Sequence, residues 1–108
     1  MKSVIFTIIC ILISFKAESQ EVRSGETIAK TCALCHGELG LSSQPETPSL
    51  AGQPRIYLAA QLRHFRDGVR KNARMSVIAG TLSDSDINLV SEFYSKQKIE
   101  LKKPISTP

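Results

Sequence analysis

Cys32-Ala33-Leu34-Cys35-His36 gathers two thiols and an imidazole into five consecutive residues. No other stretch limits so strongly what this chain can fold into. Cysteines three apart share a face only if the segment is helical, because positions i, i+3 and i+4 stack on one side of a helix. Ile28 extends that face by an apolar residue four positions earlier. Ser24 is placed to cap the helix by accepting an otherwise orphaned backbone N–H. Gly37 follows the motif as a stop signal. The spacing therefore predicts a helix from about Gly25 to Cys35.

The chain has 108 residues, three cysteines and a formal net charge of +4, enough length for one domain. Its beginning reads as an export signal. Lys2 is basic, and Val4 to Phe15 is apolar except for Thr7 and Ser14. That run is too short for the ~20 apolar residues that span a bilayer and matches the ~7–15 residues of a secretory leader. Ala17-Glu18-Ser19 places small residues at the first and third positions before a cut, so residues 1–19 are expected to leave and the mature chain to begin at Gln20. An uncleaved N-terminal anchor is the alternative. Cys10 lies inside the apolar run after Ile9, which does not suit lipid attachment. Cleavage removes Lys2, Lys16, Glu18 and Cys10, so the net charge falls by one and only Cys32 and Cys35 remain. A core this modest commonly leans on a metal, a disulfide or a cofactor.

C-x-x-C-H is the attachment signature of c-type haem. Two thiols on one helical turn can add to the two vinyl groups along one porphyrin edge. The next residue, His36, then lies beneath the ring with Nε2 available to iron. The covalent links make iron–histidine bonding effectively intramolecular. Other uses of the same residues remain. A Cys32–Cys35 disulfide suits an exported protein. A redox pair of the thioredoxin kind needs a βαβ context that this sequence lacks. A zinc site needs four ligands, which Cys32, Cys35, His36 and His64 would supply only with poor tetrahedral geometry.

The rest of the chain reads as helical, with no clean strand alternation and no repeat. Gly37, Gly40, Pro45, Pro48 and Gly52 make residues 37–53 a long loop, of a length that usually serves a purpose such as wrapping a ligand. A second helix has Pro54 near its start and Gly68 beyond its end, with Leu58, Leu62 and Phe65 as its apolar stripe. A third starts at Ser83, with Asp86 three residues on as an acidic capping box and Ile87, Val90, Phe93 and Tyr94 facing inward. The expected division is a leader over 1–19, a domain over 20–98 and a tail over 99–108. The fold class is all-α, with three main helices and long loops.

The order of motifs resembles that of monohaem class I cytochromes c, and most that of the bacterial cytochrome c553 or c4-type group. The resemblance rests on Gly25, on Cys32 to Gly37, on Pro48-Ser-Leu-Ala-Gly-Gln53, on Tyr57-Leu, Gln61-Leu, Phe65 and Gly68-Val-Arg70, on Met75, on Leu82-Ser-Asp-Ser-Asp86-Ile, and on Tyr94. It covers about Gly25 to Tyr94. It implies a small cytochrome c fold around one covalently bound haem c. It implies that Cys32 and Cys35 form the thioethers, that His36 is the proximal iron ligand and that Met75 is the distal one. It further implies that the Pro48 carbonyl accepts a hydrogen bond from the other ring nitrogen of His36, which would orient the imidazole. Gly25 and Tyr94 match the crossing of the first and last helices. The chain departs from the pattern at Ala29, where the family often has an aromatic residue; Ile28 and Phe93 are candidates to fill the space.

Met75 is the only methionine left once Met1 departs with the leader, and it falls in a loop-like stretch before the last helix. A gap-filling core methionine and His64 as a rival ligand are the competing readings. A His/Met pair raises potential and leaves iron no ready site for substrate. That favours electron transfer over catalysis, and no catalytic triad, carboxylate pair or phosphate loop argues otherwise. Arg63, Arg66, Arg70, Lys71 and Arg74 crowd one stretch against the single acid Asp67. They read as a docking face for an acidic redox partner, as a contact for a haem propionate, or as a solvated helix face. Nothing points to nucleic acid, and no stable membrane insertion is expected after cleavage. The expected role is an exported, periplasmic electron carrier in a respiratory chain. A dedicated cytochrome subunit of a larger dehydrogenase or oxidase is the alternative, and a haem-based gas sensor is a third reading.

Overall fold

The computed structural model describes residues 23–102, and the expected leader and the end of the expected tail lie outside them. Four helices follow in order: α1 Gly25–His36, α2 Arg55–Arg66, α3 Met75–Gly80 and α4 Asp84–Ser95. Among the described residues there is no strand, so the all-α expectation holds.

The local signals in the sequence set the helix ends. Ser24 accepts from the Thr27 N–H and caps α1. Pro54 stands just before α2, where its missing N–H costs nothing. At α4, the Ser83 hydroxyl accepts from the Asp86 N–H at 3.1 Å, and the Asp86 carboxylate accepts from the Ser83 N–H at 3.1 Å, completing the capping box. α1, α2 and α4, of 12 residues each, are the three main helices expected, and the long loop before the last of them needs one correction. Met75 opens a short fourth helix and does not sit in a loop. At six residues, α3 is under two turns, too short for apolar periodicity to announce it.

α4 packs against both α1 and α2, and α3 packs against α2. The core between them comprises Ile28 and Ala29 of α1, Leu58 and Ala59 of α2, Leu82, and Ile87, Val90 and Tyr94 of α4. The α1–α4 crossing depends on Gly25. A Cβ there would stand 2.3 Å from the Leu89 carbonyl oxygen and 3.0 Å from the Phe93 Cβ, so any side chain would push the helices apart. One turn on, Ala29 leaves its carbonyl to accept from the Tyr94 hydroxyl at 3.3 Å. Phe93 meets the Tyr94 ring edge-on, with centroids 5.1 Å apart. The space that an aromatic residue would take is thus filled from α4.

Asp86 does more than cap. Its carboxylate is buried and also accepts from Arg23 at 2.8 Å, tying the segment before α1 to the start of α4. Asp86→Ala breaks the reciprocal half of the capping box and leaves Arg23 and the Ser83 N–H without their acceptor. It is expected to destabilise the holoprotein by ~1–3 kcal/mol, read from the denaturant midpoint.

The loop over 37–53 is held as a unit. Gly40 has φ 84°, a left-handed conformation that suits glycine, and a Cβ on it would meet the Tyr94 ring at 2.7 Å. Its carbonyl accepts from the Leu50 and Ala51 N–H groups at 2.7 and 3.1 Å. The Gly52 N–H donates to the Tyr94 carbonyl at 2.9 Å, so the far end of the loop is pinned to α4. Pro48 is thereby set opposite the end of α1.

Candidate haem site

A cavity of about 880 Å³ opens between the four helices and this loop. It falls within the ~300–1,000 Å³ typical of small-molecule and cofactor sites. α1 contributes Cys32, Cys35 and His36 to its wall, and α3 contributes Met75. Its apolar lining includes Leu58, Leu62 and Phe65 of α2, and Val90 and Tyr94 of α4. Both cysteines are free and half-buried. The Cys32 Sγ lies 3.8 Å from the Ile28 carbonyl oxygen, and burial pushes its thiol pKa up. Burial also raises the Tyr94 phenol, with Cys32 acting in the same direction.

His36 is buried, and its Nδ1–H donates to the Pro48 carbonyl oxygen at 2.7 Å. That bond takes one ring nitrogen and fixes the tautomer that leaves the Nε2 lone pair free to bind a metal. The second wall is arranged by a residue not singled out in the sequence. The Asn72 Oδ1 accepts from both the Arg74 and Met75 N–H groups, each at 3.0 Å. The only sequence clue to this role is the capacity of asparagine to bond to backbone two or three residues on. Ser91 was also missed. It is 1 % exposed, it lines the cavity, and its Oγ has no hydrogen-bond partner among the described residues.

His64 is exposed on α2 and lies off the cavity wall, which removes it as a rival to Met75 and as a fourth zinc ligand. The basic stretch divides. Arg66 is bonded to Asp67 at 3.0 Å and Asp84 at 2.8 Å, and Arg63 reaches Asn88 at 3.0 Å and Asp84 at 3.6 Å, so both join α2 to α4. The Arg66 guanidinium holds the Asp84 carboxyl below its usual range. Arg70 lies 4.5 Å above the Phe65 ring and donates to Gln61 at 2.8 Å on the cavity wall. Arg74 also lines the cavity, and Lys71 is exposed.

These residues fit a flat, mostly apolar group anchored at one edge. Two thiols stand on one helical turn, an oriented imidazole follows them, and a thioether lies in the same cavity. Comparisons with known proteins point to the same class of cofactor. Residues 22–97 match the family model described as cytochrome c. Cytochrome c-554(548) of Halomonas halodenitrificans is 38% identical over 81 residues, a match covering 72% of this chain and 98% of that protein. The thiosulfate dehydrogenase electron acceptor of Thiomonas intermedia is 45% identical over 71 residues, covering 65% of this chain and 33% of that one. The crystal structure of reduced recombinant cytochrome c4 from Pseudomonas stutzeri superposes with a TM-score of 0.64 at 30% identity, covering 68% of this chain and 46% of that one. The chain thus spans nearly all of the first of these relatives and less than half of the other two.

The chain belongs to the cytochrome c family. Its fold is the cytochrome c fold, and the family's cofactor is haem c, covalently attached and carrying one iron. Its relatives are electron carriers and not enzymes. Among the described residues no helix is long and apolar enough to cross a membrane.

Proposed function

We propose that this chain is an exported single-electron carrier with one haem c under His36/Met75 ligation. The observation that carries the proposal is the placement of Cys32, Cys35, His36 and Met75 on a single apolar cavity. When bound, the haem supplies a reversible one-electron iron couple. Cys32 and Cys35 hold it by thioethers. His36 would bind the iron through Nε2, its ring kept in orientation by the Pro48 carbonyl. Met75 would serve as the second iron ligand and so would keep small molecules off the iron. Leu58, Leu62, Phe65 and Val90 exclude water, which limits solvent reorganisation as the charge changes. Arg70, steadied by Phe65 and Gln61, is the arginine best placed for a propionate.

Residues 1–19 are a cleaved leader on this reading, and the domain works in the periplasm within a respiratory chain. The relatives named for accepting electrons from thiosulfate dehydrogenase support redox proteins as its partners. Lys71 and Arg74 remain for an acidic partner, since Arg63 and Arg66 are engaged by Asp84 and Arg70 by Gln61 and Phe65. Reversing the charge at Lys71 is expected to slow reduction by an acidic redox partner by about tenfold at low salt, with the difference vanishing at high salt.

The primary test is chemical. The reduced haem in alkaline pyridine should show the spectrum of two saturated thioether links. Acid acetone should leave the colour on the protein. Haem extracted by that solvent would refute covalent attachment. Co-purification in a fixed ratio with a catalytic subunit would replace the free carrier by a dedicated subunit.

A further inference from the structure

We infer that Asn72 is a positioning residue for Met75, holding the thioether where it can reach the iron; this rests on the reading of Met75 as the distal ligand. α3 is too short to hold its own first turn. Initiating a helix fixes several residues for a single hydrogen bond, so a piece this short needs outside support. The residue at its N-cap position, Arg74, makes no side-chain capping bond. Asn72 supplies what is missing. Its side-chain oxygen accepts from the Arg74 and Met75 N–H groups, both at 3.0 Å, and its carbonyl accepts from the Ser76 N–H at 2.9 Å. Its own N–H donates to the Ser76 hydroxyl at 3.1 Å. Four hydrogen bonds from one residue thus enclose the backbone of Met75. Asn72 also lines the cavity, on the same stretch of wall as Met75.

The geometry gives Asn72 a role that differs from general stability. Without its Oδ1, the Met75 N–H and the Arg74 N–H turn to water, and the first turn of α3 frays. Met75 then leaves the iron for part of the time. An external ligand binds only the open fraction, so its apparent affinity rises in proportion to that fraction.

The test uses the holoprotein and imidazole as the competing ligand. Asn72→Ala is expected to raise the apparent imidazole affinity of the ferric protein about tenfold, the shift that matches the loss of one or two backbone hydrogen bonds. It should also weaken the red absorption band of ferric iron bonded to thioether sulfur. Asn72→Asp keeps an acceptor oxygen at the same reach and should restore most of both signals. Ser76→Ala, which removes one bond to Asn72, should move them the same way by less, and it serves if the Asn72→Ala protein does not accumulate. Ser83→Ala, which removes a cap at α4, should lower the denaturation midpoint and leave imidazole affinity unchanged.

The Met75→Ala background separates the two readings. There the site is already open, and Asn72→Ala should add nothing. If Met75→Ala itself leaves the ferric spectrum and imidazole affinity unchanged, Met75 is not the ligand and the underlying assignment fails. If Met75→Ala opens the site while Asn72→Ala does not, or if Ser83→Ala opens it equally, the positioning role of Asn72 is overturned and the ligand assignment stands.

Discussion

The chain made without its haem is expected to lose fixed tertiary structure. The cavity of about 880 Å³ lies against the main core and shares Leu58, Val90 and Tyr94 with it. Empty apolar space costs ~24 cal/mol per Å³ where the surroundings do not collapse. At that rate the 880 Å³ cavity would cost on the order of 20 kcal/mol, an upper figure because the site is open and can relax. The whole stability of a domain is ~5–15 kcal/mol, so even a half-collapsed cavity would cost an amount comparable to what the rest of the fold supplies. A Cys32→Ser/Cys35→Ser double variant purified free of haem should retain helical signal in the far ultraviolet and lose the near-ultraviolet signal of packed aromatics. A sharp thermal transition with native near-ultraviolet dichroism would show that the cavity stands without its occupant, and the proposed fit would be wrong.

Met75→Ala should have the largest effect on chemistry. A ligand tethered by a folded chain competes at high effective concentration, and losing it changes apparent affinity by ~10²–10⁴. Carbon monoxide, which the proposed Met75 ligation would keep from the reduced wild-type iron, should bind the variant rapidly, with apparent affinity raised by at least ~10². The potential should fall, because the Met/His pair is the arrangement that raises it. The fold should survive, since Met75 is only half-buried and sits at the edge of α3. Rapid carbon monoxide binding to the wild-type protein would instead favour the gas-sensor reading.

Much of the fold was legible because its signals are local. Ser24, Pro54 and the Ser83–Asp86 box each mark a helix start by a mechanism confined to one turn. Leu58 and Phe65, or Ile87 and Val90, mark a buried face by spacing alone. α3 escaped because Met75–Gly80 is shorter than the window in which periodicity becomes visible. The site divides in the same way. Cys32, Cys35 and His36 fall in one motif and had to lie together. That Met75 lines the same cavity depends on how α3 packs on α2, which spacing does not state. The five basic residues look alike in sequence. Only the tertiary structure separates Arg63 and Arg66, committed to Asp84, from Arg70, laid on Phe65.

The position of α4 has a consequence for the order of assembly. The helix that bears Val90, Ser91 and Tyr94 is the last element of the described domain, whereas Cys32 to His36 stand on the first. A chain emerging from its amino end presents the thiols and the imidazole while that wall is still unmade. Thioether formation at that stage would meet an open helix and would not require a finished domain to be pried apart. Docking of α4 onto Gly25 then acts as a closing latch, one that shuts on whatever has been attached by that time.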